Sequence, residues 1–301
     1  MRIVITGSRG FVGKRLVDRL KSKADILEFD VQLNPEMDII NKEHIFKFLS
    51  ETEPDVVVHL AANANTVKAK EDPYFDFKIN ALGTLNLLDY AAKKNMMLIF
   101  ASSAYIYGEP MFVPITEEHP KNPNHPYGVS KFVAENYIEV YNKLFGLNYT
   151  ILRFFNIFGP GQNIGYVIPD FIYKAIKLKE LGEKKFIVNS SPNVVRDFIY
   201  IHDVIDALEN AIFNNPLNTS INICSGVPIK IGTLAQYILK IMNLDDVEIM
   251  FSQDIQGKLS VLYGSYEKAY KMLNWKPKTD LYEGLKKTVE FMLRKYSRMS
   301  S

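Results

Sequence analysis

Tyr127 and Lys131 stand four residues apart in Pro126-Tyr127-Gly128-Val129-Ser130-Lys131, so on a helix they share one face. An ammonium within about 4–6 Å of a phenol favours the phenolate and can shift a pKa by roughly 1–3 units. A tyrosine so placed can take and return a hydroxyl proton near neutral pH. Upstream, Ser102-Ser103-Ala104-Tyr105-Ile106-Tyr107-Gly108 follows an apolar run, and Ser103 offers a hydroxyl to hold the reacting oxygen. The same Tyr–Lys spacing also suits an amphipathic helix start with both side chains on the surface. The elements around the pair have to decide between these readings.

The chain opens on a short apolar strand, Ile3-Val4-Ile5-Thr6, that runs into Gly7, Gly10 and Gly13, and residues 14–20 follow with helical spacing. Glycines in this strand-to-helix context provide a tight turn and close backbone approach to a pyrophosphate, with a helix N-terminus aimed at it. A second strand over 26–30 ends in Asp30. A carboxylate there accepts ribose hydroxyls of NAD and repels a 2′-phosphate; it also suits a strand-end Asp that caps a turn. Arg9, inside the glycine loop, offers a cation to phosphate, so NAD is favoured and NADP is the less favoured cofactor.

Further along, Asp38-Ile39-Ile40 reads as a short strand before a helix over 42–51. The unbroken apolar run from Val56 to Ala62 suits a buried parallel strand, in which His59 is a satisfied core histidine. A helical pattern covers 74–94, and a strand over 96–101 delivers Ser102 and Ser103 at its C-terminal end, the edge where open α/β sheets bind ligands. A Pro- and Asn-rich loop leads to a helix over 127–145 and a strand over 149–156. This alternation predicts an α/β fold, a Rossmann-type doubly wound parallel sheet with a smaller, interleaved substrate-binding lobe. Residues 1–162 form the NAD-binding domain, to which 197–225 returns through a helix over 203–213 and a strand over 221–224. Residues 163–196 and 226–301 form the second lobe.

Composition narrows the classes. The 301 residues are 47% hydrophobic and 23% charged, the balance of a soluble globular protein. A net charge of +2 makes no electrostatic case for nucleic acid. The single cysteine, Cys224, forbids an internal disulfide and fits a reducing compartment. No apolar run approaches the roughly 20 residues of a membrane span. The strand that begins at Arg2 leaves no room for a signal peptide, so a cytoplasmic location is expected. The five histidines show no metal-ligand spacing, and no metal site is expected.

Seven ordered segments carry a resemblance over nearly the whole chain: TGSRGFVG at 6–13, HLAA at 59–62, SSAYIYG at 102–108, YGVSK at 127–131, LRFFNIFGPGQ at 152–162, RDFIYIHDV at 196–204 and LNWKP at 273–277. The sequence resembles the extended short-chain dehydrogenase/reductase superfamily, in its NAD-dependent sugar-nucleotide epimerase/dehydratase branch. The resemblance implies that Tyr127 is the acid/base, that Lys131 holds the nicotinamide ribose and lowers the tyrosine pKa, and that Ser103 bonds the sugar O4. It implies cofactor contacts at Gly7, Arg9, Gly10, Phe11, Val12, Gly13, Asp30, Asp38, Ile39, Leu60, Ala61, Ala62 and Ser102, besides Tyr127 and Lys131. Asn80, Ser103, Tyr105, Asn156 and Arg196 would face the substrate, with Arg196 on the nucleotide diphosphate, where a planar fork matches phosphate oxygens. Arg196 beside Asp197 also suits a surface ion pair, and Asn156 also suits a turn before Gly159-Pro160.

Related 4,6-dehydratases carry Thr-Asp-Glu where this chain has Ser103-Ala104-Tyr105. Eliminating water needs an extra acid and base; Ala104 moves no proton and Tyr105 is a poor carboxylate substitute. The same lack weighs against a uronic-acid decarboxylase. Three readings stay open: a 4-epimerase of the UDP-glucose/UDP-galactose type that retains NAD, an NAD(P)H-dependent reductase of a nucleotide-linked 4-keto sugar, and a non-catalytic nucleotide sensor or scaffold on the same fold. Two departures touch the nucleotide end of the substrate. Val194 stands where the branch often has Gln, and 259–269 lacks the usual second Arg, for which Lys258 could substitute as a point charge. The nucleotide is therefore left open among UDP, TDP and GDP. The branch commonly dimerises through a four-helix bundle, for which Phe75, Leu82, Leu85, Tyr137 and Tyr141 are available, so a homodimer is expected.

Overall fold

Short runs of branched apolar residues form one six-stranded sheet in which every pairing is parallel. The computed structural model describes residues 1–94, 96–214, 216–252 and 260–297. The strands β1 (Arg2–Thr6), β2 (Asp25–Phe29), β3 (Val56–His59), β4 (Met97–Ser103) and β5 (Tyr149–Phe154) are joined by the later strand Thr219–Ile223. Their spatial order is Thr219–Ile223, β5, β4, β3, β1, β2. The winding direction therefore reverses between β1 and β3, and the crevice outside the carboxyl ends of these strands is where such sheets take ligands.

The helices are α1 (Gly13–Leu20), α2 (Lys42–Thr52), α3 (Thr66–Glu71), α4 (Pro73–Phe77), α5 (Gly83–Lys94), α6 (Pro126–Phe145), α7 (Val167–Leu181), α8 (Ile201–Asn214), α9 (Ile231–Ile241), α10 (Glu267–Leu273) and α11 (Leu281–Ser297). All four residues of β3 are buried, which requires cover on both faces of the sheet. Val4, Val57, Leu98 and Ile151 pack on one side against Ile45 of α2, Leu87 of α5 and Ile138 of α6. Ile3, Ile5, Val58 and Leu152 pack on the other against Leu16 of α1 and Val204 of α8. That second cluster runs on without a break into α7, α9 and α11 through Ile172, Leu234 and Leu285. The later segments thus share a core with the sheet.

Three expectations change. The stretch 38–40 is not a strand. The Asp38 carboxylate accepts from the Ile40 N–H, the Asn86 amide takes the Ile39 and Ile40 carbonyls, and Asn41 caps α2, so these backbone groups are spent on turns. The helical pattern over 74–94 divides at a π-helical turn, Lys78–Leu82, between α4 and α5. The strand over 149–156 ends at Phe154, because the chain changes partners there. Phe155 N–H still reaches Ile223 (3.1 Å), whereas Asn156 N–H reaches Asp197 (3.1 Å) and begins β6 (Asn156–Phe158), which pairs with Phe198–Tyr200.

Glu135 of α6 and Arg153 of β5 tie a helix to the sheet with both side chains 1% exposed. Two nitrogens of Arg153 reach the Glu135 carboxylate (Nε–Oε1 3.1 Å, Nη2–Oε2 2.8 Å). The Tyr107 hydroxyl (2.9 Å) and the Glu117 carbonyl (3.3 Å) accept from Nη1. Removing one member strands a buried charge. Arg153→Ala is expected to lower the unfolding free energy by about 3–5 kcal/mol in urea denaturation; a loss below about 1 kcal/mol, the range of a surface pair, would show that the network contributes little.

Candidate active site

The glycine loop is shaped by contacts that leave no room for side chains. Gly7 has φ +68° and lies where a Cβ would come within 2.7 Å of the Ala61 nitrogen, so β1 turns tightly against the Leu60-Ala61 backbone. A Cβ on Gly13 would meet the Gly7 carbonyl at 2.2 Å, which closes the loop onto α1. No side chain caps the N-terminus of α1, and its first turn holds no acid. The Ser8 hydroxyl is buried without a partner at the same loop. Asp30, just past β2, accepts the Arg9 N–H (2.8 Å) and the Gln32 N–H (2.8 Å), and each carboxylate oxygen keeps capacity for another donor. An open helix N-terminus, a glycine cradle and a strand-end carboxylate fit the pyrophosphate and ribose of a dinucleotide. Among the described residues no group of His, Cys, Asp and Glu is arranged to hold a metal ion.

β4 and α6 bring Ser103, Tyr127 and Lys131 together. His125 and Pro126 start α6, with the His125 ring accepting the Tyr127 N–H, so the phenol leaves from the first turn beside the end of β4. A Ser103 hydrogen bond lowers the Tyr127 pKa, but burial outweighs it and holds the phenol well above its ordinary value. Lys131 makes its hydrogen bond to the backbone at the end of β4. Its ammonium donates to the Ala101 carbonyl (2.9 Å) and lies 4.7 Å from the Phe100 ring centre. Burial pushes Lys131 down to about 8, while the carboxylates of Asp76 and Glu135 pull it up. Burial is the largest influence on the Tyr127 phenol and favours its neutral form.

Buried polar groups surround the pair. Asp76 on α4 accepts from Asn63 Nδ2 (2.9 Å), Asn80 Nδ2 (3.0 Å) and Ser130 Oγ (2.6 Å). Asn80, expected to face substrate, is wholly buried; its amide serves the Asn63 backbone, Asp76 and Ser130. The Ser102 hydroxyl, expected among the cofactor contacts, bonds Glu135 (2.5 Å). His59 is hydrogen-bonded at both ring nitrogens, to Thr6 (2.7 Å) and Thr84 (3.1 Å). Thr84 donates to the Asn80 carbonyl and Thr6 accepts the Ala61 N–H, so the ring sits neutral with its proton on Nε2. Spacing could have revealed two groups the sequence reading passed over: Asp76 lies four before Asn80, and Glu135 four after Lys131. Tyr166, which acts on the Tyr127 phenol from the start of α7, had no such signal.

Tyr105 lies between this centre and the short strand that carries Arg196. Its ring meets Tyr127 edge-on with centroids 5.8 Å apart, and its phenol acts on the charge of Arg196. Arg196, in the short strand Val195–Arg196, donates to the Val195 carbonyl (2.7 Å), and Glu109 also acts on its charge. The Asn156 amide donates to the Asp197 carbonyl (2.9 Å), next to Arg196. Asp197 is buried and accepts from Ser225 and Gly226, and burial raises its pKa to about 6. It is an anchor for the loop at 225–226 and not a surface ion pair for Arg196. Lys258 lies outside the described residues.

A parallel, doubly wound sheet with a glycine cradle at its first turn defines a dinucleotide-binding α/β protein. The profile of the NAD dependent epimerase/dehydratase family matches residues 3–224, and the chain belongs to that family. A Methanocaldococcus jannaschii protein provisionally assigned as a UDP-glucose 4-epimerase is 35% identical, over 96% of this chain and 98% of its own. Relatives of other activity are nearly as similar. GDP-6-deoxy-D-talose 4-dehydrogenase of Aggregatibacter actinomycetemcomitans is 32% identical over 83% of this chain and 82% of its own. UDP-glucuronic acid decarboxylase 6 of Arabidopsis thaliana is 30% identical over 95% and 87%. Among solved structures, UDP-glucose 4-epimerase of Thermotoga maritima with UDP-glucose superposes with a TM-score of 0.90 at 30% identity, covering 98% of this chain and 100% of that one. The Thermus thermophilus UDP-glucose 4-epimerase complex with NAD gives 0.85 at 28% identity, covering 97% and 99%.

Burial holds the His59 pKa down to about 3, against about 6.5 in an unfolded chain. Between those values the unfolded state binds the extra proton, so this histidine makes stability fall as pH drops from about 6.5 towards 3. The urea midpoint is expected to fall less between pH 7 and pH 5 in His59→Gln than in the parent; equal falls would exclude His59 as a source.

Proposed function

We propose that the chain is a nucleotide-sugar 4-epimerase, acting on a hexose carried by a nucleoside diphosphate. The observation that carries this reading is the convergence of Ser103, Tyr127 and Lys131 at the end of β4, with the buried Ala104 where a dehydratase would need a carboxylate. Gly7, Gly10, Gly13 and the N-terminus of α1 hold the pyrophosphate, and Asp30 holds the adenosine ribose. When bound, NAD would supply a hydride acceptor and a positive charge that lowers the pKa of the buried phenol. Ser103 holds the C4 oxygen, and Tyr127 takes its proton. Lys131, fixed by the Ala101 carbonyl, keeps a positive charge on the buried side of the site. Loss of the O4 proton and the C4 hydride leaves a 4-keto sugar; after that sugar turns over, return of the hydride to the opposite face of C4 and of the proton to O4 inverts the centre. Arg196, with Asn156 and Tyr105 beside it, binds the diphosphate end, carried by the lobe of 163–196 and 226–301.

The relatedness to a 4-dehydrogenase of a GDP-6-deoxy sugar supports a second reading, in which the same three side chains serve reduction of a 4-keto sugar. The readings part on one assay. With UDP-galactose and no added reductant the epimerase forms UDP-glucose; consumption of NAD(P)H on a 4-keto sugar without interconversion would replace it by the reductase. Tyr127→Phe is expected to fold and bind NAD while turnover drops by about 10²–10⁴-fold. Turnover within a factor of two of the parent would remove Tyr127 from the mechanism.

The homodimer forms across α4, α5 and α6. Phe75, Leu82 and Tyr137 are exposed there, joined by Tyr74, Val140 and Leu144. Leu85 and Tyr141 are only half-buried, and Tyr141 turns its hydroxyl to Asp89 within the chain. Sedimentation is expected to give twice the 34.5 kDa chain mass, and Val140→Glu to shift the protein to the monomer. A monomeric parent would overturn this assembly.

A further inference from the structure

An acid on β2 stands where a strand facing a helix would carry an apolar residue. Side chains alternate along a strand, so Ile26, Glu28 and Asp30 share a side, and Ile26 packs into the cluster that covers α1. Glu is a poor strand residue, and its carboxylate is expensive to desolvate there. Arg9 of the glycine loop answers it, with Nη2 2.8 Å from Oε1.

The pair is incomplete. Arginine and a carboxylate at their best share two parallel hydrogen bonds. Here only one is made, and Arg9 Nε and Glu28 Oε2 are both buried without a partner. The guanidinium is therefore half spent, and the Arg9 backbone N–H to Asp30 (2.8 Å) fixes its Cα beside that carboxylate. Asp30 is the group beside which the adenosine ribose lies in this kind of fold, and a nearby arginine is what accepts a 2′-phosphate there. Arg9, Glu28 and Asp30 together carry one net negative charge, which disfavours such a phosphate. Without Glu28 the local charge would be balanced and a planar fork would be free beside the ribose.

We infer that Arg9 is a latent 2′-phosphate site that Glu28 holds shut, and that Glu28, acting through Arg9, sets the preference for NAD over NADP. This rests on the dinucleotide reading of the glycine loop and goes beyond it, because Asp30 alone would be expected to decide the matter. Glu28 acts here as a positioning residue.

The test is calorimetric titration of the purified protein with NAD⁺ and NADP⁺, without any sugar substrate. Glu28→Gln is expected to tighten NADP⁺ by about tenfold or more, the worth of a charged hydrogen bond, and to leave NAD⁺ unchanged. Glu28→Thr, which suits a strand, is expected to give the same gain and guards against a folding artefact of either variant. In an Arg9→Ala background the gain from Glu28→Gln disappears. An equal gain in that background would mean that only local charge was removed, and would overturn the role of Arg9. No gain in the single variants, with NAD⁺ still bound, would overturn this inference and leave the dinucleotide site standing. Absence of NAD⁺ binding in the parent would remove the dinucleotide site and this inference with it.

Discussion

The structure turns on an ammonium group buried at the end of a parallel sheet. Lys131 is 2% exposed, and an ion taken out of water is tolerated only when other groups replace its hydration. The Ala101 carbonyl and the Phe100 ring meet it directly, and Asp76 and Glu135 supply charge from two elements. Those carboxylates are buried in turn and must be satisfied. Asp76 gathers Asn63, Asn80 and Ser130; Glu135 gathers Arg153 and Ser102. One buried lysine thus accounts for most of the polar groups packed between α4, α6 and the sheet. It explains why the side chains of Asn80 and Ser102 are hydrogen-bonded inside the protein.

The same burial sets the state of Tyr127. Burial favours the neutral phenol, and the Ser103 hydrogen bond only partly offsets the desolvation. The state of such a phenol depends on what binds beside it. Positive charge arriving with a cofactor would act on a buried phenol at short range and in low dielectric, where it counts most. At the other end of the cleft Tyr105 touches Tyr127 and acts on Arg196, and Asn156 is pinned to the backbone beside that arginine. Tyr127 and Arg196 are therefore linked through one aromatic side chain.

Much of this was legible in the sequence because it depends on local rules. Alternating strands and helices dictate a parallel sheet, glycines between a first strand and helix dictate a tight phosphate-binding turn, and a Tyr–Lys pair one turn apart shares a helix face. His59 in an apolar run was readable as a core residue, and the structure pairs both its ring nitrogens. Periodicity misjudged the ends of elements. Nothing in 38–40 or 74–94 signals that Asn86 will claim two carbonyls, or that a π-helical turn will split a helix.

The sequence by itself determined the family, the fold class and the set of reactive side chains, since each follows from residue types at fixed spacings. Only the tertiary structure decided how those side chains are spent. Lys131 turns to a carbonyl and not to the phenol, Asn80 serves a carboxylate on a neighbouring helix, and Arg9 is held by an acid on the edge strand. Desolvation depends on everything packed around a group, much of it distant in the chain, and so it becomes readable only when the chain is folded.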